Sequence, residues 1–201
     1  MADGLNTKNY KRGTYHMVGR DEYEPQRTNN FELQITGLAG LKQFDDDESG
    51  ISDSNVPSNI SDQLTLSIDS FGAPNFNVSQ IEVPYANNKV KYAGVPNYEG
   101  GSIQFNDFLG MNTERLLMAW FKEVYNPRNQ KVGRASRYKK TAYLIEYDPS
   151  GEYSRVWQIN GCWISSLDLG SFAQGTNDVR KINCTFQYDH CFPLDNDTKF
   201  G

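Results

Sequence analysis

The feature that most constrains the fold of this chain is an alternation of apolar and polar residues with a period of two. In FELQIT the apolar members are Phe31, Leu33 and Ile35, and the pattern recurs in VSQIEVPY (78–85) and VRKINCTFQYDHC (179–191). Successive side chains of a β-strand point to opposite faces, so this period predicts strands with one buried face. A chain with several such stretches is expected to be mainly β.

The segment QLTLSIDSF (63–71) shows the same alternation, with Leu64, Leu66 and Ile68 as its apolar row. We therefore predict a strand there as well. In VSQIEVPY, Pro84 has no N–H to donate to a neighbouring strand, which predicts a position at a sheet edge or a bulge.

One stretch has the period of a helix instead. In NTERLLMAWFKEVYNP, the residues Leu117, Trp120, Phe121 and Val124 are spaced i, i+3, i+4, i+7. This spacing places them on one face, so we predict a helix over residues 112–126 that covers a sheet.

The connections between the predicted strands are short, which favours antiparallel pairing. The turn Asp148-Pro149-Ser150-Gly151 has Pro in second place and Gly in fourth, and it predicts a β-hairpin. We predict one antiparallel β-barrel or β-sandwich with a flanking α-helix and long loops. The 201 residues suffice for one such domain with a core.

Composition divides the chain into three parts. Residues 1–29 mix charged residues, Gly and Tyr without a sustained period and are predicted to form an N-terminal arm. Residues 30–192 hold the periodic segments of the domain, and residues 193–201 form a C-terminal tail. Within the domain, the polar and acidic stretch 42–61 is predicted to be a long exposed loop.

The charge and the cysteine content limit the function classes. A formal net charge of −5 with a pI near 5.1 argues against a sequence-independent grip on phosphates. The three cysteines show no paired spacing, so neither a disulfide framework nor a zinc ribbon is expected. The first residues, MADGLNTKNYKRG, hold no apolar segment and no run reaches membrane-spanning length, so we expect a protein made in the cytoplasm.

The residues that could carry chemistry do not form a recognisable set. His190 and Cys191 are neighbours on a strand, so their side chains point to opposite faces and are badly placed for a Cys–His pair. Gly100-Gly101 precedes a strand and not a helix, which argues against a phosphate-binding loop. The acidic run 45–48 lacks the ligand spacing of a calcium loop. We therefore expect no enzyme activity, no metal and no cofactor.

Two segments carry clusters of one sign. A basic connector follows the helix, and the acidic loop precedes the second strand; Lys89 and Lys91 share the polar face of another strand. Each cluster is either a solvated surface or a contact to an oppositely charged surface of another copy, and the sequence favours both readings about equally. The candidate contact residues are Asp45, Asp46, Asp47, Glu48, Lys89, Lys91, Arg128, Lys131, Arg134, Arg137, Lys139 and Lys140.

An ordered series of segments resembles the tail tube proteins of contractile-tailed bacteriophages. The series is KVKYAG (89–94), GSIQFNDFLG (101–110), AWFKEVYNP (119–127), KVGRASRYKK (131–140) and LIEYDPSGEYSRVW (144–157), followed by INGCW (159–163). The resemblance spans about residues 30–192. The arm and the 42–61 insertion depart from it.

The resemblance implies a structural subunit of the virion tail. Such proteins have a β-barrel or sandwich core with a flanking helix, and they form hexameric rings that stack into a hollow tube. Sheath and baseplate proteins are then the expected partners, and phage DNA passes through the lumen without specific binding. Tube proteins of type VI secretion and of contractile bacteriocins share this fold, as do baseplate proteins that start the tube.

Other functions stay open at the sequence level. A baseplate or hub protein of the same fold would start or cap a tube without extending it. A carbohydrate-binding β-sandwich would use exposed Tyr and Trp rings, but we expect those aromatics to be core residues on alternating faces.

Overall fold

A computed structural model describes residues 26–38, 41, 60–110, 113–175 and 178–194. The predicted arm up to residue 25, the acidic run 45–48 and most of the tail lie outside these ranges, so the predicted domain limits stay a prediction. The described strands are β1 (Phe31–Thr36), β2 (Ile68–Phe71), β3 (Asn75–Tyr85), β4 (Asn88–Glu99), β5 (Gly101–Asn106), β6 (Tyr125–Asn126), β7 (Lys131–Val132), β8 (Lys140–Tyr147), β9 (Tyr153–Asp168), β10 (Lys181–Gln187) and β11 (His190–Leu194). The described helices are α1 (Ile60–Ser67), α2 (Thr113–Val124) and α3 (Ala135–Tyr138).

The main sheet is antiparallel and follows the order β1-β8-β9-β10-β5-β2, with β11 also paired to β9. β9 pairs with β8 and β11 through its first part and with β10 through its second part. Among the described residues no ladder joins β1 to β2, so the path of strands does not close into a barrel. The predicted mainly β, antiparallel fold class is confirmed.

The core lies between the inward rows of this sheet and helix α2. Leu33 and Ile35 of β1 and Phe186 of β10 are buried, as the alternation predicts. On α2, Leu117 and Trp120 are buried as well. The Trp120 ring meets Phe186 edge-on at 5.4 Å between centroids, and its Nε1 donates to the Tyr138 carbonyl at 2.9 Å. The predicted helix therefore covers the sheet as expected.

The strand predicted over residues 63–71 is wrong in its first part. Residues 60–67 form helix α1, and β2 begins only at Ile68. Ile60, Leu64 and Ser67 are buried at helical spacing, whereas Leu66 is 67% exposed. The Ser67 hydroxyl donates to the Gln63 carbonyl at 2.7 Å. Burial of one helical face thus overrides the two-residue alternation, and the predicted loop 42–61 overlaps the first turn of α1.

The hairpin between β8 and β9 forms as predicted. The Gly151 N–H donates to the Asp148 carbonyl at 3.1 Å, and Gly151 has a φ of +88° that favours glycine. The Asp148 carboxylate accepts from the Ser150 hydroxyl and from the Glu152 N–H. These hydrogen bonds, that from Ser150 first, hold the pKa of Asp148 below its usual range.

Strands β1 and β8 are joined on their outer face by a short hydrogen bond. The Tyr147 hydroxyl donates to the Glu32 carboxylate at 2.6 Å. Burial, followed by this hydrogen bond and the Glu32 charge, raises the pKa of Tyr147 to about 12. The neutral phenol is therefore the form that the folded state stabilises.

We expect Leu64→Ala to lower the free energy of unfolding by about 2–5 kcal/mol, because it leaves a cavity in the core. Leu66→Ala should change it by no more than about 0.5 kcal/mol, because that side chain points to solvent. Urea unfolding of both variants measures the difference. Equal costs would indicate that the two leucines share a buried strand face and would contradict helix α1.

We expect Tyr147→Phe to flatten the loss of stability in alkaline solution. The folded-state pKa lies above the ordinary value near 10, so the stabilisation is complete below that pH and is lost as the pH rises through about 12. Urea unfolding at pH 9, 10 and 11 compares the variant with the parent chain, and the exposed Tyr85→Phe serves as the control. An identical pH profile for the parent and Tyr147→Phe would refute this assignment.

Candidate assembly surfaces

The most exposed element of the chain is the hairpin of β3 and β4, which pair only with each other in the described part of the chain. Every residue of β3 is exposed, and most of β4 is exposed as well. The turn between them uses Ala86 at a φ of +51°. Because β4 is the only strand paired with β3 among the described residues, Pro84 lies on an edge strand, as predicted. The hairpin projects from the domain without a buried face.

One face of this hairpin is apolar. The register pairs Ile81 with Tyr92 and Val83 with Val90, and Tyr85 follows on the same side. We call these five residues the hairpin face. All five are exposed, up to 74% for Tyr85. The expectation that the Tyr residues are core residues is wrong for Tyr85 and Tyr92.

The opposite face of the hairpin is charged. Lys89 and Lys91 place their Nζ atoms 2.8 and 3.8 Å from the Glu82 carboxylate. Two ammonium groups thus share one carboxylate, which leaves this part of the hairpin net positive. Exposed ion pairs contribute no more than about 1 kcal/mol, so both lysines remain able to meet other anions. Their predicted contact with a neighbouring copy stays a prediction.

The base of the hairpin is fixed to the end of β10. The Tyr188 hydroxyl accepts from the Asn75 N–H and donates to the Asn75 carbonyl, each at 2.9 Å. Tyr98 packs on the Tyr188 ring at 6.2 Å. A side chain at Gly100 would collide with the Phe186 carbonyl oxygen, so the backbone passes too close for any other residue. The hairpin is therefore held at its root while its strands remain uncovered.

At the other end of the sheet, Arg180 joins three segments. Its Nη1 lies 2.9 Å from Asp107 and 2.7 Å from Glu114, and its Nε donates to the Leu169 carbonyl at 3.1 Å. The guanidinium also lies 4.4 Å from the centroid of the Phe172 ring. The hydrogen bond to Glu114 is the first cause that raises the pKa of Arg180. The loop after β5, the start of α2 and the loop between β9 and β10 are thus held together.

Exposed apolar side chains lie on the segments that Arg180 joins. Leu109 is 97% exposed and Phe172 is 83% exposed. Arg180 contacts the Phe172 ring directly, and it contacts the loop of Leu109 through Asp107. Phe108 and Val179 are also exposed. We call these four residues the loop patch. Sequence reasoning missed them, because loop residues from separate segments share no periodic signal.

The structure divides the predicted basic connector. Arg128, Lys131, Arg134 and Arg137 are exposed along β6, β7 and α3. Lys139 is instead bound within the chain, with its Nζ 2.7 Å from Asp189. Lys140 is partly covered, and this burial lowers its pKa. The acidic run predicted to face this connector lies outside the described residues, so contact between them stays a prediction.

Two strand edges that have no strand partner among the described residues frame a cleft. The strands β1 and β2 end the sheet, and a cavity of about 870 Å³ lies between them. Its lining includes Phe31, Leu33, Ile68 and Phe71. Unpaired edges offer backbone donors and acceptors to another strand. The cleft is therefore a third surface at which a neighbour could add to the sheet.

Two further observations concern chemistry and membranes. His190 is exposed and lies 3.2 Å from the Asn160 amide, whereas Cys191 is buried and burial raises its pKa. The predicted separation of this pair onto opposite faces of the strand is thus observed. None of the helices in the described ranges has the length and apolar character needed to cross a membrane.

No protein-family model and no curated protein matches this sequence. Solved structures share its fold. A chain in the PVC sheath–tube complex, an extracellular contractile injection system in its extended state, superposes with a TM-score of 0.57 and 17% identity, over 90% of this chain and 99% of that one. A chain in the PVC sheath/tube terminator gives 0.56 and 17%, over 86% and 98%.

A third similar structure is the tube-terminating cap of the anti-feeding prophage. Its TM-score is 0.56 at 18% identity, with 85% of this chain and 91% of that chain covered. Identities this low establish a shared fold and leave the function to be argued. This chain has the fold of the tube and tube-terminator proteins of contractile injection systems.

Proposed function

We propose that this chain is the structural subunit of the tube in a contractile phage tail. Copies form hexameric rings, the rings stack inside a sheath, and the lumen conducts the genome during ejection. The observation that carries the proposal is the shared fold with chains of a sheath–tube complex over nearly the whole length of both. The work of such a subunit is mechanical, without a catalytic step.

The exposed surfaces of the single chain support self-association. A two-stranded hairpin alone is marginally stable in water, and here its apolar face is uncovered. Exposed apolar surface of this kind usually marks an interface. The unpaired edges of β1 and β2 can likewise be paired between neighbours in a ring, which removes the risk of irregular edge-to-edge association. A sheath and a baseplate are the remaining partners that the proposal requires.

The outer polar face of β5 and β10 suits the wall of a lumen. The Gln104 amide donates to Asn183 at 2.8 Å, and the Lys181 ammonium lies 2.8 Å from Asp69. The polar groups thus bond to one another and the charges are paired. Together with the formal net charge of −5, such a face would not hold phosphates during passage.

A tube terminator is the second candidate, because two of the similar structures contain terminator chains. A terminator adds one ring to the end of a tube, whereas a tube subunit adds many. A baseplate initiator would also contribute a small number of rings. The number of rings per particle therefore separates these roles.

Negative-stain microscopy and sedimentation of the purified chain test the proposal. We expect rings of uniform diameter that stack into tubes, with lengths that grow with protein concentration. Single or paired rings at every concentration would favour the terminator. Persistent monomers over a range of concentration and salt would refute a ring-forming role.

A further inference from the structure

We propose that rings stack head to tail by a contact between the hairpin face of one copy and the loop patch of a copy in the next ring. The inference rests on the proposed function and specifies the two surfaces that join the rings. Each surface alone is an uncovered apolar area. We expect the hairpin face of one copy to cover the loop patch of a second copy, so that each surface is the binding partner of the other.

The two surfaces lie at opposite ends of the same pair of strands. Phe186 of β10 pairs with Gly101 at the end where the hairpin is rooted. Lys181 pairs with Asn106 at the other end, next to Arg180. Five residues of strand separate these pairs, which is about 17 Å at 3.3–3.4 Å per residue. A copy placed along the strand direction therefore brings its hairpin toward the loop patch of the first.

The surfaces are unlike each other, so the contact is heterologous. A heterologous contact leaves one free surface of each kind after every addition and therefore propagates in one direction. A symmetric contact between two hairpins would instead stop at a pair. Propagation along one axis is what a tube of stacked rings requires.

Charge complementarity supports the choice of partner. The segments that meet at Arg180 also carry the carboxylates of Asp107, Glu114, Asp168 and Asp178 and the guanidinium of Arg115, so four carboxylates stand against two guanidinium groups. The hairpin carries the two ammonium groups of Lys89 and Lys91 against Glu82. The rim of the patch is thus net negative, and the tip of the hairpin, apart from Glu99 at its root, is net positive. These opposite net charges favour this pairing over two copies of the same surface, although the lysines lie on the face opposite the hairpin face.

Arg180 acts as a positioning residue for the patch. Its contacts with Asp107 and Phe172 place the loops that bear Leu109 and Phe172 side by side before any partner binds. A surface ordered in advance loses less conformational entropy on association. The hairpin root at Tyr188 supplies the matching order at the other end.

Two aspartate variants test the contact. Val83→Asp places a charge in the centre of the hairpin face, and Leu109→Asp places one in the loop patch; both residues are exposed, so folding should be retained. We expect each variant to form rings that do not stack. Rings of the two variants, purified separately and then mixed, should form pairs of rings and nothing longer, because one intact contact remains between them.

Tyr153→Asp is the matched control, because the exposure of Tyr153, 68%, lies between those of Val83 and Leu109, and Tyr153 lies outside both surfaces. Its rings should form tubes like those of the parent chain. Normal tubes from Val83→Asp or Leu109→Asp, or no ring pairs in the mixture, would overturn the inference while leaving the ring-forming role intact. Loss of rings in either variant would also overturn it, because the surface would then act within a ring.

The charge reversal Lys89→Glu with Lys91→Glu is expected to reduce stacking at least about tenfold at low salt, since the hairpin tip would then carry a net charge of the same sign as the patch rim. Lys89→Arg with Lys91→Arg keeps the charge and should stack normally. The fraction of rings in stacks, counted by microscopy at low and high ionic strength, measures the effect. Unchanged stacking of the reversed variant at low salt would remove the electrostatic part of the inference.

Discussion

The pairing of β10 with β9 on one side and β5 on the other is the constraint on which the rest of the structure depends. It fixes the inward row to which Phe186 belongs, and the edge-on contact of Phe186 with Trp120 seats α2 on the sheet. The position of this row also determines where the residues that flank the two ends of β10 lie. Arg180 at one end gathers two loops, and Tyr188 at the other anchors the hairpin. One strand thus sets both the separation and the relative direction of the exposed apolar surfaces.

The exposed hairpin is explained by the different demands of its two faces. Burying apolar surface stabilises by roughly 25 cal/mol per Å², so the hairpin face gains from any apolar partner. The opposite face already pairs Lys89 and Lys91 with Glu82 and gains little from burial. Only the apolar side of the hairpin would therefore be stabilised substantially by burial against a partner. That one-sidedness gives a particular orientation to whatever binds it.

The sequence predicts those parts of the fold in which one period is unambiguous. In β1, β10 and α2, the apolar residues fit the period of one type of secondary structure and not that of the other. In the turn at 148–151, Pro and Gly restrict the backbone dihedral angles to those of a turn. In residues 60–68, Leu64 belongs both to the strand row with Leu66 and to the helical row with Ile60 and Ser67. Contact of the Ser67 hydroxyl with that of Thr113, at 3.2 Å, helps to favour the helical row, and such a distant partner is invisible locally.

The assembly surfaces show a different limit of sequence reasoning. The alternation in β3 predicts that one face is buried, and this prediction is wrong for the described part of the chain, in which every residue of β3 is exposed. Only the fold shows that the described residues leave this face uncovered. The loop patch has no local signal, because its residues lie in separate segments, which Arg180 joins through its contacts with Asp107, Glu114 and Phe172.

A directional contact also bears on the choice between tube and terminator. A chain that extends a tube must carry both the surface that binds the previous ring and the surface that receives the next one. A terminator needs only the first, so a terminator and a tube subunit can share a fold and differ at one end of the sheet. This chain carries an exposed hairpin face at one end and an exposed loop patch at the other. Under the proposed stacking contact, the presence of both surfaces favours extension over termination.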